Sequence, residues 1–176
     1  MVKSIGNKKI KTAVFISGKG TNLRNLIKFS KLKKSPIKIC LVFSSNRLAK
    51  GLNYAKKYLI KMKIYNFTNK KKAEFLILKD LKKNRIDLIC LAGFMKILSP
   101  DFIKKFKGKI LNIHPSLLPK YKGLNTHARA IKNKDKYSGC TVHLVNAKLD
   151  SGKIILQKKI SILKKDTPNS LAKRVL

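Results

Sequence analysis

Acidic residues are scarce in this chain: 7 aspartates and glutamates stand against 43 lysines and arginines in 176 residues. Tryptophan is absent, and cysteine and histidine occur 3 times each. The cysteines, Cys40, Cys90 and Cys140, lie in apolar, strand-like surroundings. An odd number without CxxC spacing argues against a disulfide framework or a zinc site, so buried free thiols in a reducing cytosol are expected. Long apolar runs are missing too. The longest, Ile86 to Met95, is broken by Asp87 and Gly93 and is too short to span a bilayer. The amino-terminal stretch MVKSIGNKKIKT is basic but no apolar run follows it, so no secretory leader is expected. Arginine is rare as well: all but five of the basic residues are lysine. Arginine is the preferred reader of base edges, and the aromatics do not interleave with the lysines as a stacking platform requires. The formal charge of +36 therefore reads as a compositional drift toward lysine. Nucleic-acid binding is expected to be incidental, sequence-independent and salt-sensitive, with a Kd of about 10⁻⁴–10⁻⁶ M.

What is present is a 44% hydrophobic chain, long enough for a core and read as one domain over 1–176. Thr12–Ser17 reads as a buried strand, followed by a glycine turn and a helix with Leu23, Leu26 and Ile27 on one face. IKICLVFSSN is a second strand and KIYNFT a short third, with the helical spacing of RLAKGLNYAKKYLI between them. KKAEFLILKDLKKN places Phe75, Leu78 and Leu81 on one helical stripe, and IDLICLAGF is a fourth strand. Ser99-Pro100-Asp101 is a helix start. KILNI is a fifth strand, and a helix capped by Asn125 follows. CTVHLV and KIILQKKISI alternate like paired strands, and Thr167-Pro168 opens a last helix. Strands alternating with helices imply an α/β fold with a mostly parallel central sheet flanked by helices. Ligands of such sheets bind at the carboxyl ends of the strands.

Four stretches carry chemistry. In SGKGTN, Ser17 to Asn22, two glycines turn the backbone tightly into a helix N-terminus, a ready site for an anion and equally an ordinary βα turn. It fits neither GxxxxGK[ST] nor GxGxxG, since Leu23 stands at the third glycine position. In NIHPSLLP, Asn112 and His114 are two apart on a strand and project from one face. Asparagine offers a donor to a developing oxyanion, and histidine a proton or second donor; a satisfied strand-end histidine is the plainer alternative. Asp150, in AKLDSGKIIL, is either a turn residue or a carboxylate returned to the end of strand five, where it would raise the histidine's pKa. Phe94, Met95, Ile97 and Leu98, in LAGFMKILSP, form an apolar segment that is either core or one wall of a slot for a flat heterocycle.

Together ISGKGTNL, FSSN, DLICLAGFMKILSP, LNIHPSLLPKYKGLNTHARAI, GCTVHLV and LDSGKIILQ resemble the folate-dependent formyltransferases of purine synthesis that act on glycinamide ribonucleotide. The resemblance covers nearly the whole chain and implies a Rossmann-like formyltransferase fold. Formyltetrahydrofolate deformylases usually carry a second histidine where Pro115 stands, and methionyl-tRNA formyltransferases usually lack the SGxG[ST]N loop. By position, the resemblance implies that Asn112, His114 and Asp150 are the catalytic trio and that Gly20, Thr21 and Asn22 hold the ribonucleotide phosphate. Met95, Lys96, Ile97 and Leu98 would lie along the folate, with Asn112 bordering both ligands. The implied chemistry is direct formyl transfer from 10-formyltetrahydrofolate to the glycinamide amine, with no metal and no covalent intermediate. The implied partners are these two small molecules, with no membrane, and the implied location is cytoplasmic. Lys96 stands where the family often has arginine, and Lys122 replaces a frequent proline. The family usually continues beyond the position of Leu176, so a domain lacking the usual carboxyl-terminal end is expected. A truncated or inactive basic binding protein on the same fold is the alternative, and a related folate-dependent formyltransferase is another.

Overall fold

The computed structural model describes residues 8–176; the first seven residues of the basic amino-terminal stretch lie outside them. The chain divides into two compact units at Lys96/Ile97. In the first, β1 (Ile10–Ile16) is buried from Thr12 onward. It lies between β2 (Ile37–Ser44) and β4 (Leu88–Leu91), and β3 (Met62–Ile64) adds to the far side of β2. All three pairings are parallel. Strands covered on both faces read as unbroken apolar runs, and AVFI and LVF are such runs.

The helices of this unit are α1 (Thr21–Ser30), α2 (Leu52–Lys57) and α3 (Lys70–Lys83). α1 buries Leu23 and Ile27 against Val14, Ile16 and Val42, with Leu26 half-buried beside them, on the face its spacing predicts. α3 differs from expectation. Its buried side is Ala73, Glu74, Ile77, Asp80 and Leu81, and Phe75 is 67% exposed. Two stripes of helical period compete in this segment and share Leu81. The helix takes the one that brings Asp80 to Lys63 Nζ (3.3 Å) and to the Tyr65 hydroxyl. Burial and the Asp80 carboxylate push Tyr65 up to about 12.

Gly20 precedes α1 at φ 76°, and a Cβ there would meet the Gly51 Cα at 2.5 Å. Both the left-handed backbone and the close approach to the next βα loop require glycine. Gly20→Ala is expected to cost about 1–3 kcal/mol, read as a lower urea midpoint.

The second unit holds α4 (Pro100–Lys105), β5 (Lys109–His114), α5 (Thr126–Lys132), β6 (Tyr137–Leu144), β7 (Ile154–Ser161) and α6 (Pro168–Val175). β5 pairs β6 and β6 pairs β7, both antiparallel. The α/β fold class stands, with the three parallel pairings of the first unit and these two antiparallel ones. The β6–β7 link is too short for a parallel crossover, which takes about a dozen residues or more. Ser99 caps α4 through the Phe102 amide, and Thr167 forms a capping box with Ser170. Asn125 does not cap α5 with its side chain as expected; its backbone sits in the left-handed region instead, at φ 57°. Three of the scarce acids make local ties: Asp101 to Lys105, Asp135 to Lys120 and Tyr121, and Asp166 to Arg174 and Ser170.

Cys40, Cys90 and Cys140 are free, as expected, but half-buried rather than buried. Burial still pushes the Cys90 thiol up to about 11. Among the described residues no helix is long and apolar enough to cross a membrane.

Candidate active site

The loop that leaves β5 is pinned from below. The Thr141 hydroxyl, on β6 and fully buried, donates to the Ser116 carbonyl (2.6 Å) and accepts from the Leu118 amide (3.1 Å). Gln157, on β7, donates to both the Thr141 hydroxyl and the Leu118 carbonyl at 2.8 Å. Ser116, also buried, donates to the Lys120 carbonyl at 2.6 Å. Thr141→Val keeps the shape and removes the hydroxyl at the centre of this network. It is expected to cost about 1–3 kcal/mol, because the groups left behind are buried; the urea midpoint checks it.

Above this floor the three expected residues converge. Asn112 and His114 share a face of β5, and Asp150 arrives from the β6–β7 loop, where its own backbone is left-handed at φ 44°. Its Oδ2 lies 3.3 Å from His114 Nδ1 and accepts from the Gly123 amide at 2.9 Å. Its Oδ1 accepts from Asn112 Nδ2 at 3.4 Å. His114 Nε2 donates to the Tyr121 carbonyl at 2.9 Å, so both ring nitrogens face oxygen acceptors. Besides closing its turn, the Asp150 carboxylate thus reaches His114, Asn112 and the Gly123 amide.

One member was missed. His143 lies on β6 as the register partner of Asn112. Its Nδ1 donates to the Leu144 carbonyl (2.9 Å), and its Nε2 is 3.1 Å from Asn112 Nδ2 and 3.6 Å from Asp150 Oδ1. The ring is 2% exposed. The one available signal was a histidine two residues from Thr141 in an alternating strand, which names a face but not a partner.

Burial works to raise Asp150, but His143, the Gly123 amide and the positive side of His114 outweigh it, and its carboxyl lies below the usual range. Burial works against the charged form of His143, but Asp150 and the Leu144 carbonyl hold its pKa above the ordinary value. Donation from Asn112 belongs to the neutral His143 ring, and the pull of Asp150 to the charged one. Titration of His143 interconverts two hydrogen-bond arrangements of the same triangle. On α5, His127 Nδ1 is the one buried side-chain nitrogen or oxygen without a partner among the described residues. Burial first and His114 second lower its pKa.

In the first unit, Gly20, Thr21 and Asn22 form the start of α1. No side chain caps this end and no acid sits in its first turn. Ser17 ties the strand ends together there: its hydroxyl meets Ser45 Oγ at 2.7 Å and accepts from the Met95 amide at 2.8 Å. The segment expected along a folate divides. Met95 and Ile97 are 67% and 64% exposed and Lys96 is exposed, whereas Leu98 is buried and serves the core. Phe94, grouped with them in sequence, packs edge-on against Phe15 and Phe67.

Residues 10–176 match the family model described as Formyl transferase. The chain is 48% identical over 160 residues to the phosphoribosylglycinamide formyltransferase of Haemophilus influenzae, covering 89% of this chain and 76% of that protein. It is 41% identical over 175 residues to the human trifunctional purine biosynthetic protein adenosine-3, covering 98% of this chain but 17% of that far longer protein. A crystal structure of phosphoribosylglycinamide formyltransferase from Brucella melitensis superposes with a TM-score of 0.90 at 42% identity, over 96% of this chain and 88% of the other.

Proposed function

Given that this chain belongs to the formyl transferase family, we propose that it transfers a formyl group from 10-formyltetrahydrofolate to the amine of glycinamide ribonucleotide, a step of purine synthesis. The observation that carries the reading is the Asp150 carboxylate, which holds Asn112, His114 and the Gly123 amide at once. The amine attacks the formyl carbon, a C–N bond forms and a tetrahedral oxyanion develops. Collapse breaks the bond to the folate nitrogen, and the amine's proton passes to that nitrogen. Asn112 and His114 are the donors to the oxyanion, and Asp150 orients His114 and a relaying water. Both donors are already held by protein acceptors, His114 by the Tyr121 carbonyl and Asp150, Asn112 by Asp150 and His143. The reacting oxygen therefore gains a donor by exchange, and the Tyr121 carbonyl, on the loop after β5, is the acceptor that yields.

The test is direct. Purified protein with glycinamide ribonucleotide and 10-formyltetrahydrofolate is expected to release the formylated ribonucleotide; a folded protein that forms none overturns the reading.

The phosphate assignment is separable. Gly20 packs on Gly51, so its replacement tests the fold. Asn22→Asp instead places a negative charge in the first turn of α1, which the helix dipole tolerates and a bound phosphate does not. Repulsion of about 1–4 kcal/mol at such distances is expected to raise KM for the ribonucleotide about ten-fold or more, leaving KM for the folate unchanged. Equal KM values for variant and parent remove Gly20 to Asn22 from the phosphate site.

A further inference from the structure

At the amino ends of the strands in the first unit, like charges are placed together. Lys11 and Lys38 are register partners on β1 and β2, and Lys9 stands just before β1. Neighbouring strands are only about 4.8 Å apart, and like charges directly opposite destabilise a sheet. The carboxyl-terminal ends of the three helices of the unit reach the same edge and add Lys31, Lys61, Lys83 and Arg85. With these side chains they line an open cleft of about 930 Å³.

Two bland explanations fall short. The lysine drift of the chain supplies cations in this number, 7 of the 15 lining residues, but does not by itself gather them around one depression without an acid. Helix dipoles do not either. Three carboxyl-terminal ends carry about half a negative charge each, which suits one or two cations rather than seven. No aspartate or glutamate lines the cleft, and none of the seven cations is in an ion pair among the described residues. Of the acids in this unit, Asp80 is held by Lys63 and Tyr65 and also feels the charge of Lys61, and Asp87 accepts from the Lys11 backbone amide. Charge of one sign gathered along one edge raises the local potential toward anions.

We propose that this cleft is a binding site for a compact anion bearing a chain of phosphates, distinct from the residues assigned to formyl transfer. Lysine ammonium groups meet phosphate oxygens as point charges and need no planar geometry. The one aromatic ring in the lining, Tyr58, already has the Lys31 ammonium 4.6 Å from its centroid. No stacking platform remains for bases, so the ligand is recognised through its phosphates rather than as a nucleic-acid strand.

Titration calorimetry at about 0.15 M salt, near the physiological screening length, tests this with sodium tripolyphosphate and with adenosine triphosphate as probes. One saturable site per chain is expected. Replacing Lys11, Lys38 and Lys83 together by glutamine is expected to weaken it about ten-fold or more. A control triple at Lys104, Lys107 and Lys132, all exposed and outside the cleft, removes the same net charge and is expected to change affinity less than about two-fold. Equal affinity for the two probes assigns recognition to the phosphate chain alone, and tighter binding of the nucleotide assigns a nucleotide; both keep the site. No saturable binding of either probe, binding that survives the cleft triple, or equal weakening by the control triple overturns it. If the cleft triple does not fold, Lys83→Gln alone, exposed at the end of α3, is expected to weaken binding about three-fold, and an unchanged affinity overturns the proposal.

Discussion

Asp150→Asn is expected to lower kcat for formyl transfer by about 10²–10⁴-fold, the range that a group supporting proton transfer contributes, with little change in either KM. The substitution is nearly isosteric, so the loop and the Gly123 contact keep their shape, but the charge that organises the site is gone. Asp150 lies 3.3 Å from His114 and 3.6 Å from His143, and among the described residues no other acid pairs with either ring. A second readout separates electrostatics from packing. The pKa of His143 is held up by Asp150 against burial, so it is expected to fall in the variant, as followed by NMR. Stability supplies a third. A histidine raised in the folded state stabilises fully below its unfolded value, about 6.5, and that contribution is lost as pH rises through the folded value. The depressed Asp150 carboxyl acts in the opposite sense. Its contribution is present above its unfolded value, about 3.9, and is lost as pH falls through the folded one. The parent's urea midpoint is therefore expected to drop between pH 6 and pH 8 by more than that of Asp150→Asn. If rate, His143 titration and pH profile all stayed at parent values, Asp150 would be a turn residue and no more.

His114→Ala and Asn112→Ala are each expected to cut kcat by about 10²–10³, the usual cost of losing one preorganised oxyanion donor, with modest KM effects. Both side chains are rooted on β5, and neither loss unmakes the Thr141 and Gln157 bonds that hold the loop floor. The two variants should also differ from each other. Removing Asn112 takes away the donor that faces His143, so the titration of His143 is expected to shift in Asn112→Ala. His114→Ala leaves that donor in place. A rate loss below about three-fold in either variant would remove that residue from the oxyanion.

Much of this was legible in the chain because it depends on neighbours in sequence. Asn112 and His114 share a face because side chains alternate along any strand, and KILNIH is apolar enough to be one. Ser99 and Thr167 cap their helices because the cap, the proline and the first turn are consecutive residues. The α1 face follows from the spacing of Leu23 and Ile27. The resemblance to formyltransferases rested on such local strings, and residues 10–176 match that family.

Tertiary structure decided what depends on distant segments meeting. His143 entered the site because antiparallel register sets it opposite Asn112, 31 residues away. A shift of one residue would have turned it to the other face. α3 offered two stripes of the same period, and only its partners, Lys63 and Tyr65 around Asp80, chose between them and left Phe75 in solvent. Leu98 went to the core while Met95 and Ile97 stayed outside, although all three read alike in an apolar run. Gly20 is constrained by Gly51, 31 positions on, through an approach that no local pattern encodes. By itself the sequence determined periods, caps and the chemistry of its motifs, since each acts within a few bonds of its cause. Register, burial and the company each charge keeps were left to the fold, because they are set by which surfaces close on one another.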